Sequence, residues 1–75
     1  MKLFGYKRKD AGKGLLEMRE VTVCCHPTKL RELAAFIERC AADMDKDPDR
    51  WDHEHFIVED KQPVHFIVAN PRALK

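Results

Sequence analysis

The stretch HPTKLRELAAFIERCAADM, residues 26–44, predicts the one strong helix of the chain, and the rest of the fold is built on it. Pro27 is favoured at the first position of a helix, where its ring already holds helical φ and its missing N–H is not needed. Apolar residues then recur at the three- and four-residue spacing of one helix face, and we expect that face to pack on a sheet. They are Leu30, Leu33, Ala34, Ile37, Cys40, Ala41 and Met44.

The segment before the helix predicts a β-hairpin. Residues 2–9 form a first short strand, and the segment 10–14 supplies the turn, because its glycines take positive φ at little steric cost. In the second strand Met18 is out of phase with Val21, since side chains alternate between the two faces of a strand. An extra residue near Arg19-Glu20 would restore the phase, so we expect a β-bulge there.

The segment after the helix predicts a second hairpin, with strands WDHEHFIV (51–58) and VHFIVANP (64–71) joined by residues 59–63. A helix between parallel strands of one sheet crosses right-handedly, and a fourth strand inserted between them makes all neighbours antiparallel. We therefore predict an α+β fold of ββαββ order in a single domain, residues 1–75. Its four-stranded antiparallel sheet has the order 1-2-4-3, with one helix packed on one face.

Charge and hydropathy narrow the classes of partner. The chain has 14 basic and 13 acidic residues and a net charge of +1, which gives no sign of a nucleic-acid partner. No apolar run approaches the roughly 20 residues that a membrane span requires, and the positive N-terminal segment is not followed by an apolar signal sequence. We expect a cytoplasmic protein with no membrane partner.

The three cysteines, Cys24, Cys25 and Cys40, include no Cys-x-x-Cys pair. This pattern suggests neither a disulfide framework nor a zinc knuckle, and we expect reduced thiols. Cys24 and Cys25 are adjacent, so in a strand they would point to opposite faces, with at least one acting as a small buried hydrophobic residue.

The segment WDHEHF, residues 51–56, concentrates the most chemistry. In a strand, His53 and His55 share a face with Trp51. Two histidines two residues apart, with His65 of the next strand as a third ligand, have the chemistry to bind zinc or copper. The commoner role of such a mixture of histidine and aromatic side chains is local hydrogen bonding or a protein contact.

Acidic residues precede this segment and follow the helix. Asp45, Asp47 and Asp49 are interpreted either as a hydrated turn or as an acidic contact patch for a basic partner. The chain contains no serine and its spacing places no Cys/His pair, so we expect no enzymatic activity and no cofactor. The candidate partner-binding residues are Asp45, Asp47, Asp49, Trp51, His53 and His55.

Three segments together resemble the immunity protein 32 family of small bacterial proteins. They are EVTVCCHPTKLRELAAFIERCAADM (20–44), WDHEHF (51–56) and FIVANP (66–71), within a matching region of residues 15–71. The resemblance rests on a Pro-initiated helix with a Leu-x-x-Leu-Ala pattern, an Asp-His-x-His segment that contains His53 and His55, and a closing Val-x-Asn-Pro. The family helix usually starts at Ser-Pro, whereas this one starts at His26-Pro27.

The resemblance implies a cytoplasmic protein that protects its bacterial producer by binding and neutralising a toxin delivered by neighbouring cells. It carries over no catalytic residue. The expected partner is the cognate toxin, and a homodimer is a second open expectation, because a chain of 75 residues buries little surface by itself. The alternative function is a small metal-binding or regulatory domain that uses His53, His55 and His65.

Overall fold

A computed structural model describes residues 1–9, 15–59, 61 and 63–74 of the chain. Its elements are β1 (Lys2–Lys7), β2 (Met18–Cys24), α1 (Pro27–Lys46), β3 (His53–Val58), β4 (Val64–Ala69) and a short 3-10 helix (Pro71–Leu74). The predicted turn at residues 10–14 lies outside the described residues, as do residues 60 and 62 of the predicted turn in the second hairpin.

Helix α1 begins at Pro27, which confirms the predicted start. The preceding His26 has extended backbone with ψ of 159°, the conformation that the proline ring imposes on the residue before it. The first helical hydrogen bond runs from the Leu30 N–H to the His26 carbonyl at 3.0 Å. At the other end, the Asp47 N–H donates to the carbonyls of Asp43 and Met44, both at 3.3 Å, and the helix stops.

Strands β1 and β2 pair antiparallel and contain the predicted bulge. Tyr6 lies opposite Glu20, but the next residue, Lys7, lies opposite Met18, so Arg19 is the extra residue. The extra residue brings Met18 onto the face that also carries Val23, which the alternation of side chains alone would not do.

The predicted four-stranded sheet of order 1-2-4-3 is wrong. The described residues form two separate two-stranded antiparallel sheets, β1-β2 and β3-β4, and β2 does not pair with β4. The prediction used the rule for strands that a helix connects within one sheet. That rule applies only when the two strands belong to the same sheet, which the rule itself cannot establish. Here each hairpin is a separate sheet, and each packs its own side chains against the core.

The core is centred on the helix residues Leu33, Phe36 and Cys40, which are buried. Both hairpins contribute partly buried side chains to the packing around them, namely Met1, Val23, Trp51, Phe56, Phe66 and Val68. The rings of Phe36 and Phe56 lie 5.3 Å apart at a tilt of 46°. The predicted helix face is thus partly wrong: it omitted Phe36, and it included Leu30 and Ile37, which are 43% and 42% exposed.

The fold is open for its size. The chain exposes 6442 Å², whereas a compact monomer of 8.8 kDa exposes about 4,800 Å². Its radius of gyration is 13.8 Å, against about 11 Å for a compact domain of 75 residues. The two narrow hairpins therefore leave much of the helix surface and of their own surfaces uncovered.

Candidate functional site on the second hairpin

The second hairpin, β3-β4, has two chemically different faces. Its inner face contributes Phe56, Phe66 and Val68 to the packing around the helix core. The outer face follows from the register, in which His53 lies opposite Ala69, His55 opposite Ile67, and Ile57 opposite His65. We call this outer surface the histidine face; its residues are His53, His55, Ile57, His65, Ile67 and Ala69.

Two histidines of this face contact each other diagonally across the strands. The Nδ1 atoms of His55 and His65 lie 3.2 Å apart, and the two rings are 83° from parallel with centroids separated by 5.5 Å. In a hydrogen bond between two imidazole nitrogens, one must carry the proton and the other must accept it. The contact therefore holds one ring as donor and the other as acceptor.

The third histidine is held by its neighbour in sequence. His53 Nδ1 is hydrogen bonded to the Asp52 carboxylate, which acts as the acceptor. The His53 ring also packs edge-on against His55, with centroids 5.1 Å apart. Since Nδ1 donates to Asp52, the other ring nitrogen of His53 is left to interact outside the hairpin.

Apolar side chains alternate with these rings. Ile57 and Ile67 are 48% and 49% exposed, and Ala69 is half-buried beside them. Large aliphatic groups and histidines thus share one exposed surface on the side of the hairpin that faces away from the helix. This mixture of apolar and hydrogen-bonding groups is typical of protein contact surfaces.

The same side chains provide an incomplete metal-ligand set. Among the residues that the structure describes, no group of three or more His, Cys, Asp or Glu side chains is arranged to hold a metal ion. The 3.2 Å between His55 Nδ1 and His65 Nδ1 nevertheless resembles the separation of about 3.3 Å between two imidazole nitrogens on a tetrahedral zinc ion. The face therefore offers two ring nitrogens close enough together to bind the same metal ion.

A buried asparagine positions the start of β3. Asn70 is 5% exposed, and its side-chain amide donates to the carbonyls of Pro48 and Trp51, each at 2.8 Å. Its side-chain oxygen accepts from the Arg72 N–H at 3.1 Å, and its own N–H donates to the Asp52 carbonyl at 2.8 Å. The pattern of the sequence predicts no role for Asn70, although an asparagine before proline at a strand end is a usable turn signal.

Trp51 packs against the core and is not one of the residues of the histidine face, where the alternation of a strand predicted it. It is half-buried, and its side chain packs against the core cluster around Phe36. The Trp51 N–H donates to the Asp47 carbonyl at 2.9 Å, so the turn from the helix into β3 is fixed at both ends. The indole thus anchors the segment from which His53 and His55 project.

The predicted acidic residues lie at the end of the helix and in this turn. Asp45, Asp47 and Asp49 are all exposed. Asp49 forms an ion pair with Arg72, which neutralises part of the local negative charge. These carboxylates therefore lie in solvent at the end of the helix and in the turn that leads to Trp51.

Cys40 is buried within the helix, whereas Cys24 and Cys25 lie just before its first residue. All three are free, and Cys40 is in the core, where burial is the main cause that raises the pKa of its thiol. Cys24 and Cys25 line one open pocket of about 600 Å³ together with His26.

No protein-family model matches the chain, and neither a curated protein nor a solved structure matches it. Across the described residues, no helix has the length and apolar character needed to cross a membrane. The fold and the surface together define a small α+β protein with an exposed histidine face.

Proposed function

We propose that this chain is a small, non-catalytic binding protein that recognises a partner protein through its histidine face. The observation that carries the proposal is the alternation of three histidines with Ile57 and Ile67 on an uncovered sheet surface. The surface offers apolar area together with hydrogen-bonding groups, which is the combination that a specific protein contact uses. The inner face already serves the core, so the outer face is free to bind.

The proposed partner is a cognate bacterial toxin, and the proposed site of action is the cytoplasm. This part of the proposal rests on the resemblance of residues 15–71 to the immunity protein 32 family. The exposed carboxylates of Asp45 and Asp47 support it, because exposed negative charge attracts a basic partner such as a toxic nuclease. In this proposal the chain neutralises the toxin by covering its active surface.

The test begins with capture of partners from the producing bacterium, followed by growth assays in cells that express the captured protein. We expect a toxic partner whose effect on growth the wild-type chain reverses. Ile67→Glu places a charge in the centre of the histidine face and should abolish both binding and protection. Thr22→Glu is the matched control, because Thr22 is an exposed strand residue of the first hairpin.

The proposal is wrong if Ile67→Glu protects as well as the wild type. It is also wrong if no captured protein inhibits growth. Circular dichroism of both variants confirms that the helix and the hairpins persist, so that a loss of protection reports on the surface itself.

A second candidate function is metal binding through the same histidines, and the short separation of the His55 and His65 nitrogens favours it. In this case the pair would bind Zn²⁺ or Cu²⁺, and the remaining ligands would come from water or from a bound protein. Zinc titration of the purified chain separates the two functions. Stoichiometric binding that His65→Ala abolishes would support the metal site. No binding at a physiological zinc concentration would instead favour the protein contact as the function of these histidines.

A further inference from the structure

Helix α1 carries two parallel apolar stripes, and its own chain buries one of them. The buried stripe consists of Leu33, Phe36 and Cys40. The second stripe lies next to it around the helix and is exposed, with Leu30 at 43% and Ile37 at 42%. We call it the exposed stripe; its residues are Leu30, Ala34, Ile37 and Ala41.

The spacing of the exposed stripe is that of a helix-pairing seam. Its members are separated by four, three and four residues, which is the pattern with which paired helices bury side chains between them. Large and small side chains alternate along it, so that Leu30 and Ile37 of one helix would fit beside Ala34 and Ala41 of another. Such a seam is suited to a second helix.

The surface area of the chain leaves enough exposed surface for a second copy to be that occupant. The chain exposes about 1,600 Å² more than a compact monomer of its mass. A stable protein interface buries about 1,200 to 2,000 Å² in total, or half of that on each partner. The excess area of the whole chain, of which the exposed stripe is one part, exceeds what a dimer interface buries on each partner, and a net charge of +1 opposes self-association little.

The charges beside the exposed stripe favour an antiparallel arrangement. Arg31 and Glu38 are both exposed and lie seven residues apart along one edge of the stripe. Neither takes part in an ion pair with another residue that the structure describes. In an antiparallel pair centred near Ala34 and Ile37, Arg31 of each helix faces Glu38 of the other, whereas in a two-fold parallel pair this edge of one helix lies on the opposite side of the seam from the same edge of its partner, so these charges do not meet.

We propose that the chain forms a two-fold symmetric homodimer in which the exposed stripes of two antiparallel α1 helices pack together. A two-fold axis near the middle of the stripe makes the surface self-complementary, as a closed dimer requires. The histidine face lies on the side of the second hairpin away from the helix, so it is not consumed by this contact. The dimer would present two histidine faces to partners.

Sedimentation equilibrium of the full chain tests the dimer. We expect a mass of twice the 8.8 kDa of one chain. Ala34→Glu places a charge in the exposed stripe and should weaken association by about 100-fold or more. Ala35→Glu is the matched control: Ala35 is the next residue of the same helix, it is exposed outside the stripe, and its variant should associate within about twofold of wild type.

A charge exchange tests the orientation of the helices. Arg31→Glu alone sets two glutamates against each other at each end of the seam and should weaken the dimer by about tenfold. The double change Arg31→Glu and Glu38→Arg restores opposite charges in an antiparallel pair, and it should return association to within about threefold of wild type. Circular dichroism verifies the helix in each variant.

The proposal is overturned if the wild-type chain remains an 8.8 kDa monomer at about 1 mM protein. It is also overturned if Ala34→Glu leaves the mass of the dimer unchanged, since the contact would then lie elsewhere. Failure of the charge exchange to restore association would overturn the antiparallel arrangement. Binding of the captured toxin by the monomeric Ala34→Glu variant is measured separately, so the two proposals stand or fall independently.

Discussion

The second hairpin packs Phe56, Phe66 and Val68 against the helix core, whereas the first hairpin packs Met1 and Val23 against it. The paired strands are similar in length, with 6 and 7 residues in the first hairpin and 6 and 6 in the second. The difference lies in the side chains that face the helix. A two-stranded hairpin is marginal by itself, so its stability depends on what it packs against.

The second hairpin is also the more firmly connected of the two to the helix. The second hairpin is tied to the end of α1 through Asn70, which bonds to the backbone of Pro48 and Trp51. The first hairpin leads into α1 at His26, whose side chain forms no capping hydrogen bond. We therefore infer that the helix and the second hairpin form the stable unit of the fold, and that the first hairpin is the more weakly attached part.

The largest effect is expected from removing the side chain that joins the helix to the second hairpin. Phe36→Ala should lower the free energy of unfolding by about 3 to 5 kcal/mol, because it creates a cavity in the core and removes the contact with the Phe56 ring. Urea denaturation followed by circular dichroism measures the change. A loss below about 1 kcal/mol would show that the core is centred elsewhere.

The next largest effect is expected from removing the buried side-chain amide of Asn70, which connects the second hairpin to the end of α1. Asn70→Ala should cost about 2 to 3 kcal/mol, since it leaves the carbonyls of Pro48 and Trp51 without their donors. Arg72→Ala is the control, because it removes the exposed ion pair to Asp49 and should cost less than about 1 kcal/mol. Equal urea midpoints for the two variants would contradict the role assigned to Asn70.

A matched pair of valines compares the two hairpins directly. Val68 and Val23 are both half-buried and both pack against the core cluster, one from each hairpin. We expect Val68→Ala to cost about 1.5 to 2 kcal/mol and Val23→Ala about 1 kcal/mol or less, because the neighbours of Val68 include aromatic rings. Native-state hydrogen exchange should also show lower opening free energies for the amides of β1-β2 than for those of β3-β4.

The smallest effect concerns the core thiol and alkaline pH. Burial raises the pKa of Cys40, so the folded chain keeps this thiol neutral at a pH where the unfolded chain ionises it. The contribution to stability is complete below the pKa of the unfolded chain and is lost as pH rises through the folded pKa. Above about pH 9, the stability of Cys40→Ala should therefore decline less steeply than that of wild type.

Cys24→Ala is the control for this measurement, because it removes an exposed thiol and leaves the buried thiol of Cys40 in place. Urea midpoints of the three proteins between about pH 8 and pH 10 provide the comparison. Identical slopes for Cys40→Ala and the wild type would show that the thiol is not in the core.

Local features of the fold were predictable because their causes are local. The start of the helix at Pro27 follows from the ring of proline, and the bulge at Arg19 follows from the alternation of side chains in a strand. The shared face of His53 and His55 required only the two-residue period of β3. Each of these conclusions depends on residues within a few positions of one another.

The candidate site was only partly predictable. The sequence identified His53, His55 and Trp51, but the contact of His55 with His65 depends on the register of β3 against β4. The role of Asn70 depends on a turn that begins 22 residues earlier, at Pro48. Neither distance in space follows from spacing in sequence, because both are set by how the hairpin closes onto the end of the helix.

By itself, the sequence determined the helix, the strand segments and a wide apolar helix face that includes both Leu33 and Ile37. The separation of the hairpins into two sheets, and the burial of Leu33 and Phe36 while Ile37 stays exposed, depend on packing between elements that are distant in sequence. The physical reason is that periodicity specifies which side chains share a face, whereas the width of the covering surface determines how many of them lose contact with water. Two narrow hairpins cover one stripe of this helix and leave the other exposed.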